Sequence, residues 1–517
     1  MNVLKITRTG YNECELNGSQ VDPKLIVKNK VFHNDVLNED FTVKESSRDS
    51  FLIGGVLKLR NNYTFGTNDK GMELFEFQPI NWRYPRFMVP SNIKKNLIKN
   101  KDKVIDHFVV ISFRDWKSKF PVGMISLNLG PVDVITNQYD VLFYYYPTMP
   151  ITMDKKSKDI GFEYKEPSET TITDEIYSID PEGCIDIDDA ISYDSVKKRI
   201  GVHIADVAEI LNEYNHQRYS TVYAPHRSVH MIPDEIATEM ASLREGKIKN
   251  VITCWINEDG SYNFECNKVR LTKNLTYEQA DVLINTSKNA DLKLLYVKSI
   301  EIGKGLNIEV PVETIDTHKM VEVFMIYYNK SITEYLEGEK NMIFRNQKLF
   351  KKAVYEHTRI GHESLGLSHY THATSPIRRY TDWIVQKIFK KLETGVINLE
   401  RVNEYEREIK KLSRMWDYLK ASKEITSGSE YELEFREIQD DRLVFFCEKL
   451  NIQISSKIKY NIVENGLVEN GLEIENGLVN TVEVNDNQYK LGEKYTRQLY
   501  LIDDKKNILF YKILIQF

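Results

Sequence analysis

Four aspartates lie within ten residues of one another, at Asp180, Asp186, Asp188 and Asp189. Strand-like segments flank them, so the aspartates are expected on a loop between two strands, where several side chains can turn toward one point. Carboxylates are costly to bury unless they are paired or bound to a metal. Carboxylate oxygens suit Mg²⁺, and divalent cations stabilise the oxygens of phosphoryl transfer. On spacing alone, metal-dependent phosphate chemistry and a solvated acidic turn are equally open.

A second dense motif, Tyr-Thr-His-Ala-Thr-Ser-Pro-Ile-Arg-Arg-Tyr-Thr-Asp, occupies residues 370–382. Pro376 favours a turn or a helix start because its ring fixes φ and it has no N–H. Backbone N–H groups at a helix start, next to Arg378 and Arg379, would form an anion site. The alternative is an arginine pair bridged to acids on neighbouring turns. Together, a carboxylate cluster and an arginine-bearing helix start are what phosphodiester cleavage needs.

The pattern of short segments predicts an α+β multidomain protein. Residues 1–66 and 67–153 consist of short β-runs broken by Gly, Asn, Asp and Pro, which indicates two OB-type β-barrels. Residues 154–423 mix strands with helices and predict an α/β domain that carries both motifs. The β pattern returns in residues 424–517, which predicts a third, OB-fold barrel.

Three local patterns add detail. Thr276 is expected to cap a helix. A helix from Lys319 to Leu336 places an apolar stripe toward the core; its members are Phe324, Tyr328, Ile332 and Tyr335. Glu-Asn-Gly-Leu occurs three times near the C-terminus, and Asn-Gly favours hairpin turns, so a hairpin insertion is expected there. The repeats begin at Glu464, Glu469 and Glu475.

Composition narrows the class of protein. The 517 residues carry a formal net charge of −6, so any nucleic-acid contact must come from local basic clusters. Five scattered cysteines without a CxxC pair fit a reducing compartment, and neither a signal peptide nor an 18-residue apolar run is present. We therefore expect a soluble, cytoplasmic protein. Aromatic and basic residues interleave at 81–87 and 114–117; these segments either stack bases or, the favoured alternative for any single one, form barrel core beside surface charge.

Several segments resemble one known family. Residues 179–190, 202–207 and 370–380 are similar to the RNB catalytic domain of ribonuclease II, ribonuclease R and the eukaryotic exosome nuclease. Residues 78–85 and 121–130 resemble the second cold-shock barrel of these enzymes. The C-terminal β region corresponds to their closing OB-fold RNA-binding domain in position only.

This resemblance implies a processive, hydrolytic 3′-to-5′ exoribonuclease that threads single-stranded RNA between the barrels into a channel and releases nucleoside 5′-monophosphates. It implies Mg²⁺ as the cofactor, with Mn²⁺ as a substitute, and no small-molecule cofactor. The four aspartates would hold the metal, and either Asp188 or Asp189 matches the one needed for catalysis beyond binding. Arg378 matches the arginine that contacts the phosphate, and Tyr223 the tyrosine that packs on the terminal nucleotide. A helicase or an RNA-decay complex is the partner that this family suggests.

Other positions depart from the family or are less specific. Arg379 is expected to be a second phosphate ligand or, as favoured, a structural partner of Asp382. Asp417 stands where the family usually has a glutamate. Glu322 and Asn329 match positions on a core helix and are predicted to contact RNA. Three further site-like residues are predicted to be hydrogen-bonded core residues; they are His203, Asp206 and His372.

Two rival functions belong to other classes. The first is a catalytically silent RNB-like protein that only binds RNA, which would normally lack at least one of the four aspartates. The second is an endonuclease or DNA nuclease built on the same metal site. The segment before Tyr370 is shorter than in the family, which fits either a streamlined cellular enzyme or a viral one.

Overall fold

The computed structural model describes residues 2–8, 11–46, 48, 51–61, 63–146, 167–211, 218–348, 351–439, 442–457, 461–464, 467–469, 481–484, 487–503, 509 and 511–516. The chain divides into two compact units. Unit 1 comprises Met1–Ile151, Ala224–Arg227 and Lys410–Phe517, and unit 2 comprises Thr152–Tyr223 and Ser228–Ile409. Among the helices of the described ranges, none combines the length and the apolar character that crossing a membrane requires.

Unit 1 begins with two small sheets and one short helix. Their elements are β1 (Leu4–Arg8), β2 (Glu13–Leu16), β3 (Ser19–Val21), α1 (Pro23–Lys28), β4 (Val36–Leu37) and β5 (Val43–Glu45). The first three strands form one sheet and the last two another, and a Val3–Val36 bridge links them. These described strands do not form the closed barrel expected in residues 1–66. Among the described strands, no continuous ladder joins the two sheets into a closed circuit, which a barrel requires.

The next part of unit 1 is a closed five-stranded barrel. Its elements are β6 (Leu52–Leu57), β7 (Leu74–Pro79), β8 (Phe87–Pro90), α2 (Ile93–Lys99), β9 (His107–Asp115), β10 (Val122–Pro131) and α3 (Ile135–Leu142). Burial alternates along β7, with Phe75 and Phe77 inside. The boundary predicted at residue 66 falls inside this barrel, because the buried run of β6 pairs with both β7 and β9.

Unit 2 is built on a six-stranded sheet with the order β17-β16-β13-β12-β11-β18. The described strands in this part of the chain, including those outside the six-stranded sheet, are β11 (Ile176–Asp180), β12 (Asp189–Asp194), β13 (Arg199–Ala205), β14 (Val222–Ala224), β15 (Arg227–Val229), β16 (Ile248–Asn257), β17 (Tyr262–Arg270), β18 (Lys273–Thr276), β19 (Phe344–Asn346) and β20 (Val354–Glu356). Pairs β14–β15 and β19–β20 are separate two-stranded sheets; residues 224–227 belong to unit 1 by their contacts.

The helices of unit 2 pack against this sheet in one hydrophobic core. They are α4 (Val207–Ile210), a π-helix (Ile236–Met240), α5 (Tyr277–Asn285), α6 (Ala290–Gly305), α7 (Thr317–Tyr335), a 3₁₀ helix (Glu363–Leu365) and α8 (Tyr380–Phe389). Thr276 caps α5 in a capping box, as predicted. The predicted stripe on α7 is buried at Phe324, Tyr328 and Ile332, but Tyr335 is exposed, because it is the last residue of the helix.

Helix α9 (Leu399–Glu424) leads into the C-terminal part of unit 1. The strands that follow are β21 (Ser429–Gln439), β22 (Arg442–Cys447), β23 (Ile452–Ser456), β24 (Asn461–Glu464), β25 (Leu467–Glu469), β26 (Thr481–Val484), β27 (Asn487–Lys490), β28 (Lys494–Asp503) and β29 (Tyr511–Ile515), with a 3₁₀ helix (Glu448–Leu450) after β22. Five of these strands form the sheet β23-β22-β21-β28-β29, and β24 to β27 form a second sheet. Strands β24 and β25 pair as a hairpin at the first Asn-Gly repeat; Glu475 lies outside the described residues.

These findings confirm a multidomain α+β architecture, in which an α/β region lies between β-rich segments along the chain. The site-bearing motifs lie in unit 2.

Candidate active site

The four aspartates line one cavity of about 760 Å³ in unit 2. Asp180 is the last residue of β11 and Asp189 the first of β12, while Asp186 and Asp188 lie in the connection between them. Because β11 and β12 are antiparallel neighbours, the end of one strand meets the start of the next. This confirms that the aspartates occupy a loop between strands.

Asp188 joins this loop to the arginine motif. Its Oδ1 accepts a hydrogen bond from the backbone N–H of Ile377 (2.8 Å), and its Oδ2 accepts one from Nε of Arg378 (3.1 Å). Arg378 also donates from Nη2 to Oγ of Ser375 (2.8 Å). The expected helix start is instead a turn, with α8 beginning only at Tyr380. The anion bound by this turn is Asp188 itself.

The Asp188–Arg378 pair is asymmetric in exposure. The Asp188 side chain is 3% exposed, whereas that of Arg378 is 42% exposed. Burial raises the pKa of Asp188 well above its usual value, and Arg378 and the N–H of Ile377 offset only part of this effect. Burial lowers the pKa of Arg378, but Asp188, Tyr223 and Asp382 together outweigh it and the pKa is raised. Asp188 therefore orients a guanidinium that remains open to the cavity.

Asp180 and Asp189 are two carboxyl groups of the cavity whose pKa values are both raised. Burial raises the pKa of Asp180 to about 6, and the charge of Asp186 adds to the effect. Burial raises the pKa of Asp189 to about 7, and the charge of Asp180 adds to it. Oδ2 of Asp180 is buried and has no hydrogen-bond partner among the described residues. Because burial disfavours their charged forms, these two carboxylates would be stabilised by a cation bound between them.

The donor chemistry of this cavity fits Mg²⁺. Among the residues that the structure describes, no group of three His, Cys, Asp or Glu side chains is already placed to hold a metal. Mg²⁺ seldom needs three such protein ligands, because it usually binds one or two carboxylates together with substrate phosphate and water. Asp180 and Asp189 fit that pattern. Asp186 and Asp188 already accept hydrogen bonds from protein groups.

Tyr223 closes one side of the cavity. Its hydroxyl donates to Oδ2 of Asp186, and its side chain is 47% exposed. Burial of the hydroxyl and the charge of Asp186 raise the pKa of Tyr223, so the phenol is neutral. The preceding segment is fixed by backbone hydrogen bonds from Thr221 N to Arg378 O (2.9 Å) and from Tyr380 N to Tyr219 O (3.0 Å). These backbone hydrogen bonds hold the segment that leads to Tyr223 beside the segment that carries Arg378.

Arg379 lines the cavity but is engaged by protein groups. Its Nη2 donates to Oδ1 of the fully buried Asp382 (2.7 Å), and its Nη1 lies 3.2 Å from Nδ1 of His372. The same Asp382 oxygen accepts the N–H of Ser375 (2.9 Å). Burial, followed by the charge of Arg379, lowers the pKa of His372 well below its usual value, so the ring is neutral. The geometry favours the structural alternative for Arg379; its predicted phosphate contact stays a prediction.

Asn329 also supports the arginine motif from α7. It is 3% exposed, its Oδ1 accepts the N–H of Ala373 (2.8 Å), and its Nδ2 donates to the hydroxyl of Tyr370 (3.0 Å). With its amide engaged at both ends, Asn329 acts on the backbone of the motif. Glu322 lines the cavity and pairs with Lys319 at 2.7 Å.

The remaining predicted residues lie elsewhere. Asp417 lies on α9 in unit 1, outside the residues that line this cavity. His203 is fully buried between the hydroxyls of Ser192 (2.8 Å) and Thr253 (3.0 Å). Asp206 caps α4 and pairs with Lys390. His203 and Asp206 are therefore hydrogen-bonded core residues, as predicted.

The sequence reasoning missed one feature of the cavity wall. The rings of Tyr277 and His318 stack with centroids 3.5 Å apart and an interplanar angle of 15°, and both residues line the cavity. Strand β18 runs parallel to β11 with Thr276 opposite Asp180, so the next residue, Tyr277, emerges at the same edge. Finding this from the sequence would have required knowing that two strands far apart along the chain are neighbours.

Comparison with known proteins finds relatives over most of this chain. The RNB domain model matches residues 170–306 and 347–395, and the model of the Dis3-like cold-shock domain 2 matches residues 74–146. Ribonuclease R of Aquifex aeolicus is 22% identical over 82% of this chain and 74% of its own length. Human exosome complex exonuclease RRP44 is 24% identical over 51% of this chain, which corresponds to 32% of the human protein.

Two solved structures share the fold. Mycoplasma genitalium RNase R in complex with ribose-methylated single-stranded RNA aligns over 100% of both chains, with a TM-score of 0.71 and 16% identity. Yeast Ssd1, described as a pseudonuclease, aligns over 80% of this chain and 65% of its own, with a TM-score of 0.54 and 15% identity. The matched RNB region contains the aspartate loop and the arginine motif. The chain therefore carries a region that matches the RNB domain and is similar to ribonuclease R and to the exosome exonuclease RRP44.

Proposed function

We propose that the chain is a processive, hydrolytic 3′-to-5′ exoribonuclease that degrades single-stranded RNA to nucleoside 5′-monophosphates. The observation that carries the proposal is the convergence of four aspartates and the half-exposed Arg378 on one cavity. Its relatives are named ribonuclease R and exosome exonuclease, and a related fold holds single-stranded RNA. A site with paired carboxylates and an oriented guanidinium suits a phosphodiester better than a neutral substrate.

The proposed reaction breaks the last phosphodiester of the strand. Water attacks the phosphorus, the bond to the 3′ oxygen of the penultimate nucleotide breaks, and the phosphate leaves on the 5′ oxygen of the terminal nucleotide. Arg378, held by Asp188, is placed to donate hydrogen bonds to the phosphoryl oxygens as negative charge develops on them. Donors already aimed at the developing charge are among the largest contributors to catalysis.

Asp180 and Asp189 are proposed as the carboxylates that hold Mg²⁺ or Mn²⁺. A bound ion would supply positive charge beside the scissile phosphate. Asp186, which accepts the Tyr223 hydroxyl, links the tyrosine to the acidic loop. The half-exposed ring of Tyr223 is available to pack on the terminal nucleotide, where base–aromatic stacking contributes about 1–3 kcal/mol per base.

The decisive experiment uses one single-stranded RNA labelled in turn at each end. With Mg²⁺, the 3′ label should appear at once as mononucleotide, and the 5′ label should pass to a short end product without a ladder of intermediates. EDTA should stop both reactions. An RNA that carries a 3′ phosphate tests the direction, and the same sequence in DNA tests the sugar requirement. Internal cleavage of the 3′-blocked RNA would show an endonuclease instead.

A catalytically silent RNA-binding protein is the second candidate, favoured by the fold match to a pseudonuclease. Against it stands the presence of all four aspartates and Arg378. A silent protein would shift the labelled RNA in a native gel and leave it intact at every Mg²⁺ concentration.

A further inference from the structure

Tyr223 lies on β14, the first strand of the hairpin formed by β14 and β15. The hairpin residues Ala224–Arg227 belong to unit 1 by their contacts, while Tyr223 and Ser228 belong to unit 2. Thr221, two residues before Tyr223, is fixed by the hydrogen bond to Arg378 O. Beyond Tyr223 the chain has a second attachment, at the tip of the hairpin.

Asp140 on α3 is the centre of that second attachment. Its Oδ1 accepts a hydrogen bond from Nε of Arg227 (2.8 Å) and lies 3.1 Å from Nε2 of His226. The ring of His226 stacks on Tyr139, with centroids 5.6 Å apart and an interplanar angle of 26°. The guanidinium of Arg227 lies 4.4 Å from the ring centroid of Phe143. Two polar contacts and two ring contacts thus hold two consecutive residues, His226 and Arg227.

Tyr223 depends on such an attachment because little else fixes its ring. The side chain is 47% exposed, and its hydroxyl has one hydrogen-bond partner in the described structure, Asp186. Only Ala224 and Pro225 separate it from His226. Proline fixes its own φ and restricts the residue before it, so this link is stiff. A displacement of the tip would therefore pass to Tyr223 instead of being absorbed.

We propose that Asp140 is a positioning residue for Tyr223, and that the contact of α3 with the hairpin tip sets the grip of the site on the terminal nucleotide of single-stranded RNA. This inference rests on the proposed function, because it requires the 3′ nucleotide to pack on Tyr223. Asp140 touches no substrate in this scheme. It acts through the backbone of residues 224–227, with Arg227 as its principal partner.

The test measures stacking directly. An RNA with 2-aminopurine as its 3′-terminal base is titrated with protein made inactive by Asp189→Asn, with and without Asp140→Ala. Stacking on Tyr223 should quench the fluorescence of the 2-aminopurine when the RNA binds. Asp140→Ala should weaken that quench and lower the affinity by about three- to tenfold, less than the full value of one stacked base. Arg227→Ala provides an independent variant of the same attachment.

Two controls separate positioning from general damage. Glu76→Ala breaks an ion pair with Arg86 on the barrel of the same unit; the side chains of Glu76 and Asp140 are 21% and 23% exposed. This variant should leave the quench unchanged. In a Tyr223→Ala background, Asp140→Ala should have no further effect, because its route to the RNA is gone.

Each outcome is decisive. Additive losses for Asp140→Ala and Tyr223→Ala would overturn the inference, as would an unchanged quench in both Asp140→Ala and Arg227→Ala. If the parent protein binds this RNA without quenching the 3′ base, the terminal nucleotide does not pack on Tyr223 and this inference fails. The exonuclease activity would still be decided separately, by the cleavage of the end-labelled RNA.

Discussion

Replacing Asp189 with asparagine should stop turnover and, at the same time, stabilise the metal-free protein above pH 7. Asparagine keeps the size of the side chain but removes its charge, so the proposed cation loses a ligand. RNA should still bind, because Arg378 and Tyr223 are unchanged. The opposite effects on activity and stability follow from one cause, the buried charge next to Asp180.

The magnitude follows from the pKa of Asp189, which burial and the charge of Asp180 raise from 3.8 to about 7. At about 1.4 kcal/mol per pH unit, this difference corresponds to on the order of 4 kcal/mol. A carboxyl group with a raised folded-state pKa favours folding while it is protonated. That advantage is complete below the unfolded pKa near 4 and is lost as the pH rises to 7. The side chain introduced by Asp189→Asn does not titrate, so the variant gains most above pH 7.

The assay is thermal unfolding in EDTA at several pH values, followed by single-turnover cleavage with Mg²⁺. At pH 8 we expect Asp189→Asn to raise the Tm by several degrees, with the gain shrinking between pH 7 and 4. Asp194→Asn is the matched control at the other end of β12. Backbone N–H groups and Arg199 outweigh burial there and lower the pKa of Asp194. That variant should lower the Tm at pH 8 and retain turnover.

The reasoning about this site would be refuted if Asp189→Asn destabilised the metal-free protein at pH 8 as much as Asp194→Asn does. It would also be refuted if the variant retained full turnover, because the carboxylate would then be dispensable for holding the ion.

Substitutions at three other residues test separate parts of the site. Arg378→Ala should lower kcat about 10²- to 10³-fold, as expected for a donor to developing charge, whereas an unchanged kcat in single-turnover cleavage would exclude that role. Tyr223→Ala should weaken binding of the RNA 3′ end by about 1–3 kcal/mol, measured by titration in an inactive background. Tyr223→Phe should retain most of the binding free energy. If both variants lost the same amount, the hydroxyl rather than the ring would be responsible. Asn329→Ala should lower the free energy of unfolding by about 2–4 kcal/mol, because it leaves buried partners on Ala373 and Tyr370 unsatisfied, and urea denaturation measures this. If Asn329→Ala left the free energy of unfolding unchanged but weakened RNA binding, the RNA contact predicted from the sequence would be supported instead.

Local sequence alone was enough to predict the motifs and the class of fold. Four aspartates between two short strands predict a shared acidic point, because antiparallel neighbours return the chain to the same edge. Thr276 at the start of a helical segment predicts the cap of α5, which the structure confirms. These features depend on residues close in sequence, and so a pattern can show them.

The boundaries of the small domains could not be read in the same way. The run from residue 52 to 57 looks like the end of a first domain, yet β6 pairs with β7 and β9 of the following barrel. Whether a β-run closes one barrel or opens the next depends on hydrogen-bond partners far along the chain.

The sequence by itself determined which chemical groups this protein brings to its site: carboxylates, a guanidinium and a phenol, in motifs dense enough to mark an RNB domain. Only the tertiary structure decided the partners and the charge states of these groups. It engaged Asp188 with Arg378, left Asp180 and Asp189 with raised pKa values, turned Arg379 toward Asp382, and attached the Tyr223 hairpin to Asp140. The physical reason is that burial and long-range pairing set the charge state and the partner of each group, and both arise only when distant segments pack together.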